Sequence, residues 1–202
     1  MFTTKEAIEQ RRSIRKFKSD AVPEEHIRAL IDAARLAPSG SNAQPWRFKI
    51  VTDEAKRVKL AEAAYGQSFV AQAPLVLVCC ADIQGYFTGT ASGIQDLEKA
   101  GAVETSLVRR IRERAEGLRT MKVEEVIPRI VLNVGIAVEH IALRALDFGL
   151  GSCWVRAFDE QMVKDIFGWG DNISVVVLLP VGYPDEAPAP RKRRTIEEIL
   201  LD

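Results

Sequence analysis

Between Pro128 and Phe148 apolar side chains fall on almost every side of a helix: Ile130, Val131, Val134, Ile136, Ala137, Val138, Ile141, Ala142, Leu143, Ala145 and Leu146. A helix without a polar face has no stable resting place in water. This one must be buried all round, either as the core of its own domain or shared with a second subunit. Gly149 is well placed to end it. Two short apolar runs, Leu75 to Ala81 after Pro74 and Ile173 to Leu179, read as strands covered on both faces.

A chain of 202 residues is enough for one domain with a well-buried core, so residues 1–202 read as a single domain. Its 28 Lys and Arg balance 28 Asp and Glu, which argues against general nucleic-acid binding and makes any basic site a local one. Cys79, Cys80 and Cys153 have no paired spacing, so free thiols in a reducing compartment are expected, and with them the cytoplasm. No run reaches the roughly 18 apolar residues of a membrane span.

Thr3 and Glu6 have capping-box spacing and predict a short helix that turns Ala7 and Ile8 inward and delivers Arg11 at its exit. Pro23 opens a second helix with Ile27, Leu30, Ile31 and Ala34 on one face, and Pro38 ends it; 38–42 is loop. Trp46 to Thr52 alternates Trp46, Phe48 and Ile50 against Arg47 and Lys49, the period of a strand with one wet face. Asp53 caps a helix through Tyr65. From 85 to 122 the pattern degrades: Gly85, Gly89 and Gly93 read as a mobile loop, and Val103 to Leu118 as a charged surface helix, together a variable lid. Ser152 to Val155 reads as a short strand and Asp159 to Phe167 as a helix. Pro184, Pro188 and Pro190 stiffen an arm over 183–202. The order of elements predicts an α+β fold, a sheet sandwiched by helices.

Arg11 to Phe17, Arg-Arg-Ser-Ile-Arg-Lys-Phe, packs four cations and a hydroxyl into seven residues after a helix. Such a run is either a solvated basic face or an anion site, with phosphate the first candidate. There is no Gly-x-x-x-x-Gly-Lys loop, and the dense glycine motif at Gly149 to Ser152 precedes a strand where a dinucleotide fingerprint follows one. His26 and His140 lie on different helices without ligands at metal spacing and read as structural, so no metal site is expected. No nucleophile turn is recognisable. Cations, amides and aromatics without a hydrolytic apparatus suit a protein whose chemistry belongs to a cofactor.

Three motifs, Arg11 to Phe17, Ala-Pro-Ser-Gly-Ser-Asn-Ala-Gln-Pro-Trp at Ala37 to Trp46, and Gly-Leu-Gly-Ser-Cys-Trp-Val at Gly149 to Val155, resemble those of the FMN-dependent nitroreductase family in order and over nearly the whole length. The resemblance implies that family's fold, a central mostly antiparallel sheet flanked by helices around a long buried helix, in an intertwined homodimer. It implies bound FMN, with NADH or NADPH as donor and a small-molecule acceptor such as a nitroaromatic or quinone, reduced by a ping-pong mechanism. Arg11, Ser13, Arg191 and Arg193 are expected to clamp the phosphate, with Lys192 and Arg194 as the other register, and Arg12 to reach the ribityl region. Arg15 is expected against the pyrimidine edge, where a fixed cation stabilises reduced flavin. Pro38, Ser39, Ser41, Asn42 and Gln44 match the loop that covers the ring from the other subunit, and Gln67 an amide on the same edge. Trp154, Val155, Arg156 and Ala157 fall where relatives set backbone against N5, although many of those have a small residue or an acid at the position of Arg156 and glycine at that of Ala157. No protein acid is obligatory. Tyr86 and Phe87 are expected in the wall of the acceptor cleft. Reductive dehalogenation, oxygen-dependent destruction of the flavin, or a non-catalytic flavin-binding module are the other outcomes this fold allows.

Overall fold

The computed structural model describes residues 1–101 and 103–201; Ala102 in the lid span and Asp202 in the arm lie outside the described residues. Four strands, β1 (Trp46–Val51), β2 (Leu75–Asp82), β3 (Gly151–Ser152) and β4 (Ile173–Gly182), form one sheet in the order β1-β2-β4-β3, with every strand pair antiparallel. The helices are α1 (Thr4–Gln10), α2 (Glu24–Arg35), α3 (Glu54–Ala63), α4 (Ser68–Gln72), α5 (Ile83–Lys99), α6 (Thr105–Arg119), α7 (Val123–Ala145) and α8 (Glu160–Phe167).

Successive residues of a strand point to opposite faces. On β2, Leu75, Leu77, Cys79 and Ala81 join a core with α2 and α7, while Val76, Val78 and Cys80 join a second core with α3, α4 and α8. Both faces of the sheet are covered, so the alternation expected of a half-wet strand vanishes and the run reads as continuously apolar. The neighbouring cysteines therefore sit on opposite faces, and all three cysteines are free and buried.

Helix α7 is the pillar of the first core. Ile130, Val134, Ala137, Val138 and Ile141 are fully buried on it, and each large aliphatic side chain so removed from water contributes about 1.5–3 kcal/mol before entropy is charged. The expectation for this helix needs one correction. It begins at Val123, so Pro128 sits inside it; the capping pair Lys122 and Glu125 starts it a turn and a half early, and the proline costs one backbone bond. Of the two alternatives for its burial, one chain alone does not suffice, because Leu132 stays 67% exposed and Val131, Ile136 and Leu143 half-buried. Contrary to the sequence expectation, Val123–Phe148 is long and apolar enough to cross a bilayer, yet its inner face packs on the sheet and α2. Gly149 does end it, through a short 3-10 turn, at φ 67°.

The Thr3–Glu6 capping box is present, and Asp53 and Asp159 cap α3 and α8 as expected. Ile8 points to water instead of inward, as does Ile50 on β1. The predicted strand at Ser152–Val155 is reduced to β3 and a lone bridge from Val155 to Leu178.

The largest correction concerns the lid. Gly85, Gly89 and Gly93 do not form a loop; they recur every fourth residue along α5, on one face. A β-carbon on Gly89 would stand 2.1 Å from the carbonyl oxygen of Ala43. Gly89 and Gly93 let the 41–43 backbone cross directly against the helix.

Candidate functional site

Helix α1 delivers Arg11 and the chain then runs extended. Ile14 is buried, and its N–H donates to the Ser152 carbonyl at 3.0 Å, which with the parallel bridge between Ser13 and Ser152 ties the first motif to the third. Lys18 N–H donates to Tyr183 O and Asp185 N–H to Lys16 O, so the start of the arm runs along the same segment. With Ile14 inward, the pleat sends Ser13 and Arg15 to the other side.

That side is a charged cluster. The Arg11 guanidinium, with only 23% of its side chain exposed, lies 3.5 Å from the Glu139 carboxylate of α7. Burial pushes the Glu139 carboxyl up, while Arg11, the Trp154 indole and His140 pull it back. The indole N–H of Trp154 is itself buried and is near Glu139 without completing a hydrogen bond. Cys153 sits between the motifs: burial raises its thiol, opposed by Arg15, Ser13 and Arg11. Burial pushes Cys80 up to about 12, so neither thiol is a nucleophile at neutral pH.

Arg15 is exposed, with its guanidinium 6.0 Å from the centre of the Phe69 ring. The Gln67 amide donates to the carbonyls of Ala64 and Ala157, at 3.0 and 3.1 Å, which brings Gln67 to the end of the Trp154–Ala157 stretch. Val155 is buried; Arg156 and Ala157 are exposed. Arg12 donates to the carbonyls of Glu9 and Arg11 at the end of α1. A cavity of about 440 Å³ is lined by Arg11, Arg12, Gly151 and Ser152. Glu186 also lines it and accepts from the backbone N–H groups of Arg15 and Lys16, a carboxylate already seated on those donors. Arg191 and Arg193 lie farther along the arm, exposed, with Arg193 donating to the Lys192 carbonyl.

The second motif lies elsewhere on α7. Gly40 N–H donates to Asn133 Oδ1 at 2.9 Å, and Asn133 Nδ2 donates to Arg129 O. Ser41, Asn42 and Gln44 adopt φ of 51°, 51° and 47°, a left-handed strain that persists only where surroundings enforce it. Here the enforcement is visible: Ser39 Oγ accepts from Gln44 N–H at 3.0 Å, and α5 presses from below. Asn133 and Glu139, six residues apart, set the two motifs about 9 Å apart along the helix axis. Of the expected site residues, the first and third motifs and Gln67 meet around Arg15 and Cys153, while Pro38, Ser39 and Ser41 border a separate cavity with Tyr86, and Asn42 and Gln44 follow on the same loop without lining it. Phe87 lines a smaller neighbouring one.

His26 stacks on Phe148 at 4.3 Å and His140 Nδ1 lies 3.2 Å from Ala33 O, both packed against their surroundings. Among the described residues no group of His, Cys, Asp or Glu could hold a metal ion. Sequence reasoning missed Asn133, Glu139, Phe69 and Glu186, none of which carries a local signal.

Comparison with known proteins places the sequence and the fold. The profile of the nitroreductase family matches residues 8–183. A Thermus thermophilus protein named NADH dehydrogenase is 31% identical, covering 98% of this chain and 94% of its own. The Vibrio harveyi NADPH:FMN oxidoreductase, solved with NAD+, is 25% identical with a TM-score of 0.77, covering 98% of this chain and 76% of its own. An Exiguobacterium sibiricum protein solved in complex with FMN shares the fold at TM-score 0.82 and 21% identity, covering 99% and 97%.

Proposed function

The chain belongs to the nitroreductase family, and from that premise we propose that it is an FMN-dependent NAD(P)H oxidoreductase reducing an electron-poor small molecule such as a nitroaromatic or quinone. The observation that carries the reading is the Ile14 to Ser152 backbone bond, which sets Arg11, Ser13 and Arg15 beside the Ser152–Ala157 stretch. The donor set suits a flavin mononucleotide: guanidinium groups and a hydroxyl for a phosphate, amide and backbone groups for a ring edge, and a buried indole N–H still lacking a partner.

The chemistry FMN supplies when bound is hydride acceptance at N5 from NADH or NADPH and onward reduction of the acceptor. Arg11 and Ser13, joined by Arg191 and Arg193, hold the phosphate in this reading. Arg15, steadied over Phe69, presents a fixed cation where negative charge gathers on reduction. Gln67 and the Trp154–Ala157 backbone orient the ring. The strained Ser39–Gln44 loop covers it and excludes water. Because that loop sits away from Arg15 within one chain, the complete site takes two copies, and the open Leu132 side of α7 is the surface through which they meet.

The test is direct. The purified protein is denatured and the released flavin identified and counted; one FMN per chain is expected, with oxidation of NADH or NADPH accelerated by a nitroaromatic or a quinone. Arg15→Gln and Arg11→Gln should each lower FMN occupancy. A protein that binds no FMN sinks the proposal; one that holds FMN yet oxidises neither donor turns it toward dehalogenation or a non-catalytic flavin module.

A further inference from the structure

The second motif opens into a cavity of about 650 Å³ between α5, α6 and α7. Its apolar walls include Tyr86, Leu118, Ile136 and Leu132, suited to a flat ring; Leu132 belongs to the α7 side proposed above to meet the second copy, so the cavity borders that interface. Two guanidinium groups, Arg114 and Arg129, line it as well. Among the described residues, seven of the other arginines, including Arg109 and Arg112 on the same helix α6, are held by carboxylates of their own chain. Among the described residues, no carboxylate lies within ion-pairing distance of Arg114 or Arg129, and no Asp or Glu lines the cavity.

A third polar group waits there. Thr90 is 7% exposed and its hydroxyl has no partner. A threonine inside a helix ordinarily turns its hydroxyl back to a carbonyl three or four residues earlier. Thr88 on the same helix does so, donating to Gln84 O at 3.1 Å. Thr90 does not, and lines this cavity and the smaller one of about 230 Å³ beside it.

We infer that this cavity is the acceptor site and that it selects aromatic acceptors bearing an anionic substituent, a carboxylate or sulfonate, with Arg114 and Arg129 pairing the anion and Thr90 supplying a hydroxyl. The inference rests on the reading above, since it takes Pro38–Ser41, one wall of the cavity, as the loop over the cofactor. A bare surface arginine attracts anions only weakly. Arg114 and Arg129 are both exposed, but two such groups beside an apolar wall without a competing acid can hold one anion together through directed hydrogen bonds.

The experiment uses the full-length FMN-loaded protein with 4-nitrobenzoate and neutral nitrobenzene. Michaelis constants are measured in turnover, and dissociation constants by titrating the oxidised protein and following flavin absorbance. The carboxylate should bind at least about tenfold tighter at low salt, with the gap narrowing as salt rises. In the double variant Arg114→Gln, Arg129→Gln the gap should shrink to about twofold or less, and Thr90→Val should narrow it partway. Flavin content and circular dichroism report whether each variant is folded. Equal binding of the two compounds by the unmodified protein, or a gap that survives the double variant, overturns the inference. So does a double variant whose main effect is a raised KM for NADH, which would assign the cations to the donor's phosphates. Failure of turnover with both acceptors counts against the oxidoreductase reading alone, and the titration still decides the site.

Discussion

The carbonyl oxygen of Ser41 lies 1.6 Å from the point where a β-carbon on Gly93 would stand. Neither side can yield by rotating a side chain, because the obstacle is backbone. Gly93→Ala should therefore push α5 and the 41–44 loop apart, destabilising the protein by about 1–3 kcal/mol and lowering FMN retention. Gly117→Ala is the control: its β-carbon meets nothing within 4 Å on α6 and should stabilise by about 0.5–1 kcal/mol. Urea denaturation of the two variants, with flavin content after gel filtration, checks both signs.

Asn133 is buried on α7 and accepts from the Gly40 N–H while donating to the Arg129 carbonyl. Asn133→Ala leaves that N–H to find water and should cost about 1–3 kcal/mol. Asn133→Asp keeps the acceptor oxygen. If the contact positions the loop, the alanine variant should release FMN faster than the aspartate variant in stopped-flow dilution. Equal release rates would reduce Asn133 to a packing role.

The parts legible from the chain alone are those whose signal is local. Capping at Thr3, Asp53 and Asp159 needs only three neighbouring residues. The all-apolar runs of β2 and β4 announce burial on both faces. Gly85, Gly89 and Gly93 read wrongly because their individual propensity favours a turn, while the use of Gly89 and Gly93 is set by a tertiary crossing that no local rule contains. Pro128 likewise reads as a start because the capping pair upstream of it is weaker than the proline's own signature. Glu186 reaches the Arg15 and Lys16 backbone across about 170 positions of chain. Nothing short of the folded structure brings that carboxylate to the first motif.

Glu139 makes stability depend on pH in a direction opposite to most carboxylates. Burial raises its folded-state value above the ordinary 4.5, only partly offset by Arg11, Trp154 and His140. The folded protein then holds a proton that the unfolded chain has released, so this group's contribution to stability falls as pH rises through the window opening near the ordinary value. Glu139→Gln removes that slope. Urea midpoints across mildly acidic pH should converge for the two proteins at the acid end and favour the variant toward neutrality. A wild-type curve that climbs more steeply than the variant's over this window contradicts the assignment.

The arm beyond Pro190 places Ile196, Ile199, Leu200 and Leu201 in water, beside four consecutive cations. Exposed aliphatic side chains spaced three and four apart on a short turn, held by Ile199 and Leu200 N–H groups bonding to the Ile196 carbonyl, make a sticky face without a partner among the described residues of their own chain. Leu132 and its neighbours on α7 are left open in the same way. If both are covered by a second copy, a chain ending at Pro190 should weaken self-association by orders of magnitude, and light scattering at micromolar concentration should register a shift from two chains to one. The full-length variant Arg191→Gln, Arg193→Gln separates the two roles proposed for the arm: it should remain a dimer and still lose most of its FMN, since it keeps the apolar face and removes the proposed phosphate clamp. A truncated chain that stays dimeric and keeps its flavin would show that the arm serves neither purpose, and would leave the first motif to hold the phosphate unaided.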